Sequence, residues 1–353
     1  SRLLLPVGER PSELPRPFVR TDANYPDWVR SNVRSGLQKL RPRCSIAKHR
    51  GKTLTSGFFA VEKDKDEDRS ILALCPLSAL VDKRKLWRPR FASIPHLRAL
   101  FIENGRKVKI HKIDGRRWQK YFASPPLPKL PGVARKYPVH TSVPMGFTGS
   151  VAWAQLFNEG VILETGLPPQ QRLVDGAVPP AALPIRGSIL DDFWGIAYEE
   201  DETAAGWMDQ VSGKWGEAGV EEHLKKRVAG ERTPEVQGAM VHGEELWVGL
   251  SREKRLRLLE SGRFLMPTRR VHVRAVARWF GKTGFARYFR PATRCVLQDI
   301  YKWVDSHRRH GKYRWKLWPS VRREIGQACV LIALCQIDLA APFCPRLESS
   351  DAS

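Results

Sequence analysis

Two adjacent carboxylates, Asp191 and Asp192, are the residues whose type and spacing most directly suggest chemistry. They stand between the apolar runs Ile189-Leu190 and Phe193-Trp194-Gly195-Ile196, which predicts the tip of a buried hairpin. Neighbouring carboxylates in such a place repel each other unless a cation neutralises them. Because Mg²⁺ binds oxygen ligands and usually takes one or two carboxylates with substrate phosphates, the pair predicts a site of metal-dependent phosphoryl transfer.

Two further segments could position groups beside this pair. Residues 108–111 alternate between apolar and polar and lead into Ile113-Asp114, which predicts a strand that ends on a carboxylate. The glycine-containing turn at residues 144–149 opens a predicted helix from Ser150 to Glu164, and Gly166 suits its end. A helical projection places four apolar side chains on one face of this helix, which predicts that they face the core: Trp153, Leu156, Phe157 and Val161.

The remaining elements change character along the chain. Residues 56–63 and 69–74 predict a hairpin with a charged tip, and residues 236–250 predict another that turns at Gly243-Glu244. A polar helix is expected at residues 218–228. Beyond Ser251 the pattern is helical, so the order predicts an α+β body followed by a helical module.

The composition favours a polyanionic partner. Lys and Arg number 60 against 37 Asp and Glu, a formal net charge of +23, and this makes nucleic acid the first candidate. An anionic membrane surface is the second candidate, but no long basic amphipathic anchor supports it, so no membrane partner is expected. The longest apolar run, residues 328–335, is too short to cross a bilayer. The six cysteines show no paired spacing, so we expect reduced thiols and an intracellular location, in cytoplasm or nucleus.

The three blocks, in their order, resemble the palm of a reverse transcriptase, the polymerase of retrotransposons. In that family one Asp ends a strand, a Pro-x-Gly-x-x-Gly-Ser turn opens a helix that ends in Gln, and a hairpin carries an Asp-Asp pair. Here these features correspond to Asp114, to residues 144–155 and to Asp191-Asp192. The resemblance implies a right-hand polymerase of the α+β class, with fingers, a palm built on an antiparallel sheet and a helical thumb.

The resemblance also implies domain limits. They are an N-terminal basic extension at 1–50, fingers at 51–105, a palm at 106–250 with an inserted fingers segment near 125–150, a thumb at 251–320, and a connection at 321–353. The ending, residues 347–353, resembles the first strand of a ribonuclease H domain. Since the chain also begins with Ser1 and not Met, we expect a fragment of a longer polyprotein.

The implied reaction is RNA-directed DNA synthesis by two-metal nucleotidyl transfer. Asp114, Asp191 and Asp192 would hold two Mg²⁺ ions, or Mn²⁺, and the partners would be an RNA template, a DNA primer and dNTPs. Family positions assign the incoming nucleotide to Lys63, Arg69, Gly149 and Gln155, and the template and primer to Gly146, Lys225 and Lys226. Either lysine of the pair Lys225-Lys226 could protonate the leaving pyrophosphate, and an exposed helix face is the alternative for both.

Several positions depart from the family pattern. After Arg69 the family commonly has Asp, Arg and Asn, where this chain has Ala73, Cys75 and Ser78. The aromatic residue that excludes ribonucleotides is replaced by Gln119. Two interpretations therefore stay open: an active reverse transcriptase, and a decayed, non-catalytic descendant that only binds nucleic acid.

Overall fold

The computed structural model describes residues 4–15, 25–36, 38–42, 46–54, 56–62, 68–116, 136–140, 147–308 and 313–342. The helices in these ranges are α1 (Tyr25–Arg34), α2 (Cys75–Ser78), α3 (Ser150–Glu164), α4 (Thr203–Glu217), α5 (Arg252–Leu265), α6 (Val273–Tyr288), α7 (Gln298–His307) and α8 (Pro319–Ile332). Short 3₁₀ turns connect several of them, among them Ile94–Ala99 and Leu224–Lys226.

The strands in the same ranges form antiparallel pairs. They are β1 (Gln38–Pro42), β2 (Lys48–His49), β3 (Lys52–Thr53), β4 (Gly57–Glu62), β5 (Asp68–Ala73), β6 (Val108–Arg116), β7 (Lys136–His140), β8 (Ile185–Ile189), β9 (Asp192–Tyr198), β10 (Glu221–Glu222), β11 (Val228–Glu231), β12 (Glu235–Val236), β13 (Ala239–His242), β14 (Trp247–Gly249), β15 (Val271–His272), β16 (Arg314–Trp315) and β17 (Gln336–Asp338).

A central sheet positions the residues of interest. Its strand order is β10-β6-β9-β8, and β11 also pairs with β6. The β6–β9 ladder runs from Val108 opposite Tyr198 to Asp114 opposite Asp192. The predicted strand and the predicted hairpin at Asp191-Asp192 are therefore confirmed as elements and lie side by side, although the strand continues past Asp114 to Arg116, where it pairs with β10.

Helices α3 and α4 cover one face of the central sheet. Ile113 and Phe193, which are opposite each other in the ladder, pack there with Trp207, Met208 and other residues of α4. The Trp215 indole N–H donates to the Asn158 side-chain oxygen at 3.1 Å, which joins α4 to α3. Because side chains alternate along a strand, the even-numbered residues of β6 and β9 point away from these helices.

The other face of the central sheet packs against a second, four-stranded sheet. Ile110, Trp194 and Ile196 lie in one core with Val241 and Val248 of the second sheet, whose order is β12-β13-β14-β17. This second sheet contains the predicted hairpin of residues 236–250, as β13 and β14. A core of residues from α5 to α8 follows, with Ile300 and Trp303 fully buried.

Two predictions about helices were wrong. Residues 218–228 form β10, a 3₁₀ turn and the start of β11, because β6 offers an open edge on which this polar segment can pair. Helix α3 has the predicted bounds, but its predicted inner face is only half right. Val161 and Phe157 pack in the core, whereas Trp153 and Leu156 are exposed, and Gln155 and Asn158 are buried in their place. The buried polar groups bind polar partners in the sheet and in α4, which an apolar pattern does not reveal.

Within the described part of the chain, no helix combines the length and the apolar character that crossing a membrane requires.

Candidate active site

Asp114 and Asp192 are cross-strand partners at the end of the β6–β9 ladder. Directly opposite residues have Cα atoms about 4.5–5.5 Å apart and side chains on the same face of the sheet. Asp114 is buried, and Asp192 is partly buried. The ladder therefore places two carboxylates beside each other with little solvent around them.

Asp191 joins this pair from the turn between β8 and β9. Its backbone carbonyl accepts a hydrogen bond from the Gly115 N–H at 2.7 Å, which fixes the turn against β6. Burial raises the pKa of Asp191 to about 6, and the nearby charges of Asp192 and Asp114 add to the rise. All three carboxylates thus lie within electrostatic range of one another.

Lys112 carries the ammonium group nearest to Asp192. Its Nζ lies 3.0 Å from Asp192 Oδ1, and the two side chains are 13% and 18% exposed. Burial raises the pKa of Asp192, and Lys112 opposes that rise. Lys112 precedes Asp114 by two residues on β6, so the alternation of the strand places both side chains on the face of Asp192.

Lys226 contacts the third carboxylate, Asp114. Its Nζ donates to Asp114 Oδ2 at 2.8 Å, and this hydrogen bond is the main reason that the pKa of Lys226 is raised. The Lys226 side chain is 53% exposed, so the ammonium borders both solvent and the carboxylates. Lys225 is exposed in the same 3₁₀ turn, and the structure brings Lys226, not Lys225, to the carboxylates.

Gln155 is fully buried beneath the turn that carries Asp191. Its side-chain oxygen accepts the Leu190 N–H at 2.7 Å, and its amide nitrogen donates to Glu159 at 2.7 Å. Ser188 also donates to Glu159, at 3.0 Å. The Gln155 amide is already hydrogen-bonded inside the protein. We therefore expect Gln155 to affect a bound nucleotide through the turn that carries Asp191, and not by the direct contact predicted from the sequence.

The remaining positions singled out from the sequence lie on other elements or outside the described residues. Arg69 lies in β5, opposite Val61 of β4, which confirms the predicted hairpin. Gly149 caps the start of α3, where a Cβ would lie 3.0 Å from a ring carbon of Phe147, so the glycine permits close packing there. Lys63, Gly146 and Gln119 lie outside the described residues.

The donor set at the cluster is chemically suited to a hard divalent cation, because it consists of carboxylate oxygens. Ion pairs with Lys112 and Lys226 now engage one oxygen each of Asp192 and Asp114. Among the residues that the structure describes, no three His, Cys, Asp or Glu side chains are arranged around a common metal position. The carboxylate oxygens are thus ligands of the kind that such an ion prefers, and in this structure they are oriented toward the two lysines.

Sequence reasoning missed Lys112, Glu159 and Ser188. The signal for Lys112 was present, because a residue two positions before Asp114 on a strand must share its face. Glu159 and Ser188 belong to different elements that meet only in the fold, so no local pattern connects them.

The backbone is similar to solved structures of a foamy viral protease-reverse transcriptase. With its dRH form in complex with ds DNA, the TM-score is 0.58 at 15% identity over 92% of this chain and 50% of that chain. With the complex containing an RNA/DNA hybrid it is 0.57 at 16% identity, over 91% and 39% of the two chains. With a complex containing dsDNA it is 0.56 at 15% identity, over 92% and 60%.

The chain has a reverse transcriptase-like fold. It spans about half of the length of the first of these neighbours. No protein-family model matches the sequence, and no curated protein matches it. The reverse transcriptase-like fold therefore rests on three-dimensional likeness, with an α+β architecture and antiparallel sheets as predicted.

Proposed function

We propose that this chain is an RNA-directed DNA polymerase that extends a primer 3′-hydroxyl by two-metal nucleotidyl transfer. The observation that carries the proposal is the meeting of Asp114 and Asp192 as cross-strand partners, with Asp191 at the adjoining turn, on a reverse transcriptase-like fold. The central sheet would be the palm, the β4–β5 hairpin part of the fingers, and α5 to α7 the thumb.

Each group at the site has a role in this reaction. Two Mg²⁺ ions, when bound by the three aspartates, would activate the primer hydroxyl and neutralise the leaving pyrophosphate. Lys226, whose ammonium is partly exposed beside Asp114, is placed to give a proton to the pyrophosphate. Gln155 holds the turn of Asp191 in register, so its contribution is to positioning.

Charge supports a nucleic-acid partner. The formal net charge is +23, and the similar foamy viral structures were solved with dsDNA and with an RNA/DNA hybrid. A cleft of about 840 Å³ between α5 and α6 has an apolar floor that includes Trp279, and its rim carries four cationic residues: Lys254, Arg257, Arg278 and Lys282. Cations beside aromatic and apolar surface suit a backbone contact with stacking or packing of sugars and bases.

A second candidate is a nucleic-acid-binding protein without catalysis. It is favoured by the ion pairs of Lys112 with Asp192 and of Lys226 with Asp114, which give two of the three carboxylates a counter-ion from the protein itself. Such a protein would keep the basic surface and the fold and would lose the chemistry.

Primer extension distinguishes the two candidates. On an RNA template with Mg²⁺ and dNTPs we expect extension, and Asp191→Asn should abolish it while binding to a primer–template duplex persists. Asp305→Asn, which changes an exposed carboxylate of α7, is the charge-matched control and should extend normally. Tight, salt-sensitive binding with no extension would reject the polymerase and establish the second candidate, and absence of both would reject the two together.

A further inference from the structure

Lys112 lies where a cation is needed beside Asp192. Its Nζ is 3.0 Å from Asp192 Oδ1, and its side chain is 13% exposed. Lys226, by comparison, reaches Asp114 from a side chain that is 53% exposed. The Lys112 side chain is therefore largely buried on the sheet face that carries Asp192, and its ammonium lies beside that carboxylate.

The ion pair and a bound metal ion compete for the charge of Asp192. Mg²⁺ requires carboxylate oxygens at about 2.0–2.1 Å in near-octahedral geometry. An ammonium at 3.0 Å from Oδ1 occupies one acceptor position of the carboxylate and places a positive charge next to any ion that Asp192 binds. The repulsion between the two cations weakens the binding of the ion for as long as the ammonium stays there.

A second lysine on the same strand, Lys109, shows that only Lys112 of these two faces the aspartates. Lys109 is about as buried, at 9% exposed, and its Nζ contacts Glu202 of the segment before α4 at 2.5 Å. It points to the opposite face of β6, because it is an odd number of residues from Lys112. The strand therefore carries two largely buried lysine side chains, each in an ion pair, and only that of Lys112 faces the aspartates.

We propose that Lys112 is an internal counter-ion that competes with divalent metal for Asp192 and so weakens metal binding in the free protein. This inference rests on the proposed function, which supplies the metal site. Lys112 stabilises the carboxylate cluster without metal, and its charge opposes the binding of a divalent ion to Asp192. It is a positioning residue: it acts on the reaction through Asp192.

Metal binding without nucleic acid tests the inference independently of activity. Isothermal titration calorimetry measures the binding of Mn²⁺ to the full chain. The proteins compared are wild type, Lys112→Met, Lys112→Arg and Lys109→Met. We expect Lys112→Met to bind Mn²⁺ at least about tenfold more tightly, because the competing charge is gone. Lys112→Arg keeps the charge and should bind as weakly as wild type, and Lys109→Met removes a matched lysine on the other face and should also match wild type.

Thermal unfolding gives a second readout. In EDTA, Lys112→Met should melt below wild type because the carboxylates have lost a counter-ion, and Mg²⁺ should raise its Tm by more than it raises that of wild type. Circular dichroism checks that Lys112→Met folds. If Lys112→Met does not fold, Lys112→Gln is used instead.

The outcomes separate the two proposals. If Lys112→Met binds Mn²⁺ as wild type does while Asp192→Asn loses the ion, the metal site stands and the counter-ion role is overturned. If no variant binds Mn²⁺, Lys112→Met included, both the metal site of the proposed function and this inference are rejected.

Discussion

The buried oxygen of Gln155 accepts the backbone N–H of Leu190 at 2.7 Å, and so joins helix α3 to the turn that presents Asp191. Leu190 has φ of 52°, a backbone conformation that a leucine adopts only when its surroundings enforce it. The hydrogen bond is one such constraint, because Leu190 stands between β8 and Asp191.

Replacement of Gln155 by Ala should therefore loosen this turn. The Leu190 N–H would lose its partner in a buried place, and we expect the free energy of unfolding to fall by about 1–3 kcal/mol. Urea denaturation measures the change. Gln170→Ala, at an exposed position, is the control and should stay within about 0.5 kcal/mol of wild type. Equal stability of the two variants would contradict the supporting role of Gln155.

Asp191 should make the metal-free protein less stable as the pH rises. Its pKa is raised to about 6 in the fold, against 3.8 for an unperturbed aspartate, so the folded state holds the proton more tightly between these pH values. The unfolded chain then binds fewer protons, and stability falls as pH increases through this window.

Asp191→Asn removes that loss. We expect it to stabilise the protein in EDTA near pH 8, on the order of 1–3 kcal/mol, and to change little near pH 4. Urea denaturation at both pH values measures this, with Asp305→Asn as the control for one lost charge. A variant less stable than wild type near pH 8 would contradict the prediction, because it would show that the charged form of Asp191 does not destabilise the fold.

Lys226 and Lys225 should differ in their effect on primer extension. Lys226 contacts Asp114, whereas Lys225 is exposed in the adjacent position. If Lys226 gives the proton to pyrophosphate, Lys226→Met should lower the rate of extension by about 10²-fold or more, with a much smaller effect of Lys225→Met. Single-turnover kinetics measures both rates. A larger loss in Lys225→Met would reverse the assignment.

Gly187 of β8 is expected to tolerate no side chain. A Cβ there would lie 2.4 Å from Trp194 Cζ2 and 2.5 Å from the Ala92 Cβ. Neither side chain can move without disturbing the core, because both are buried in it. Gly187→Ala should destabilise the protein by about 1–3 kcal/mol or more.

The matched control is Gly160→Ala on α3, where a Cβ would meet nothing within 4 Å. This change should stabilise the protein by up to about 1 kcal/mol, because alanine favours the helix. Thermal unfolding compares the two variants, and a neutral Gly187→Ala would mean that Trp194 does not pack over β8 as described.

The sequence by itself determined the elements that carry the three aspartates. A strand that leads into Asp114, a helix at residues 150–164 and a hairpin tipped by Asp191-Asp192 follow from local periodicity and turn residues. The structure contains all three, with the strand extending two residues further, to Arg116. Local pattern suffices there because helix and strand repeats are set by nearest neighbours along the chain. The same method failed at residues 218–228, since the open edge of β6 is a distant partner that no window of sequence contains.

Only the tertiary structure decided how the site is assembled. It paired Asp114 with Asp192 across two strands, selected Lys226 over Lys225, and brought Lys112 to Asp192. It also turned Gln155 inward to hold the Asp191 turn, where a pattern of apolar residues predicted Trp153 and Leu156. These choices depend on hydrogen bonds and charges between elements far apart in sequence, and the cost of leaving such groups unpaired is settled only once the fold has formed.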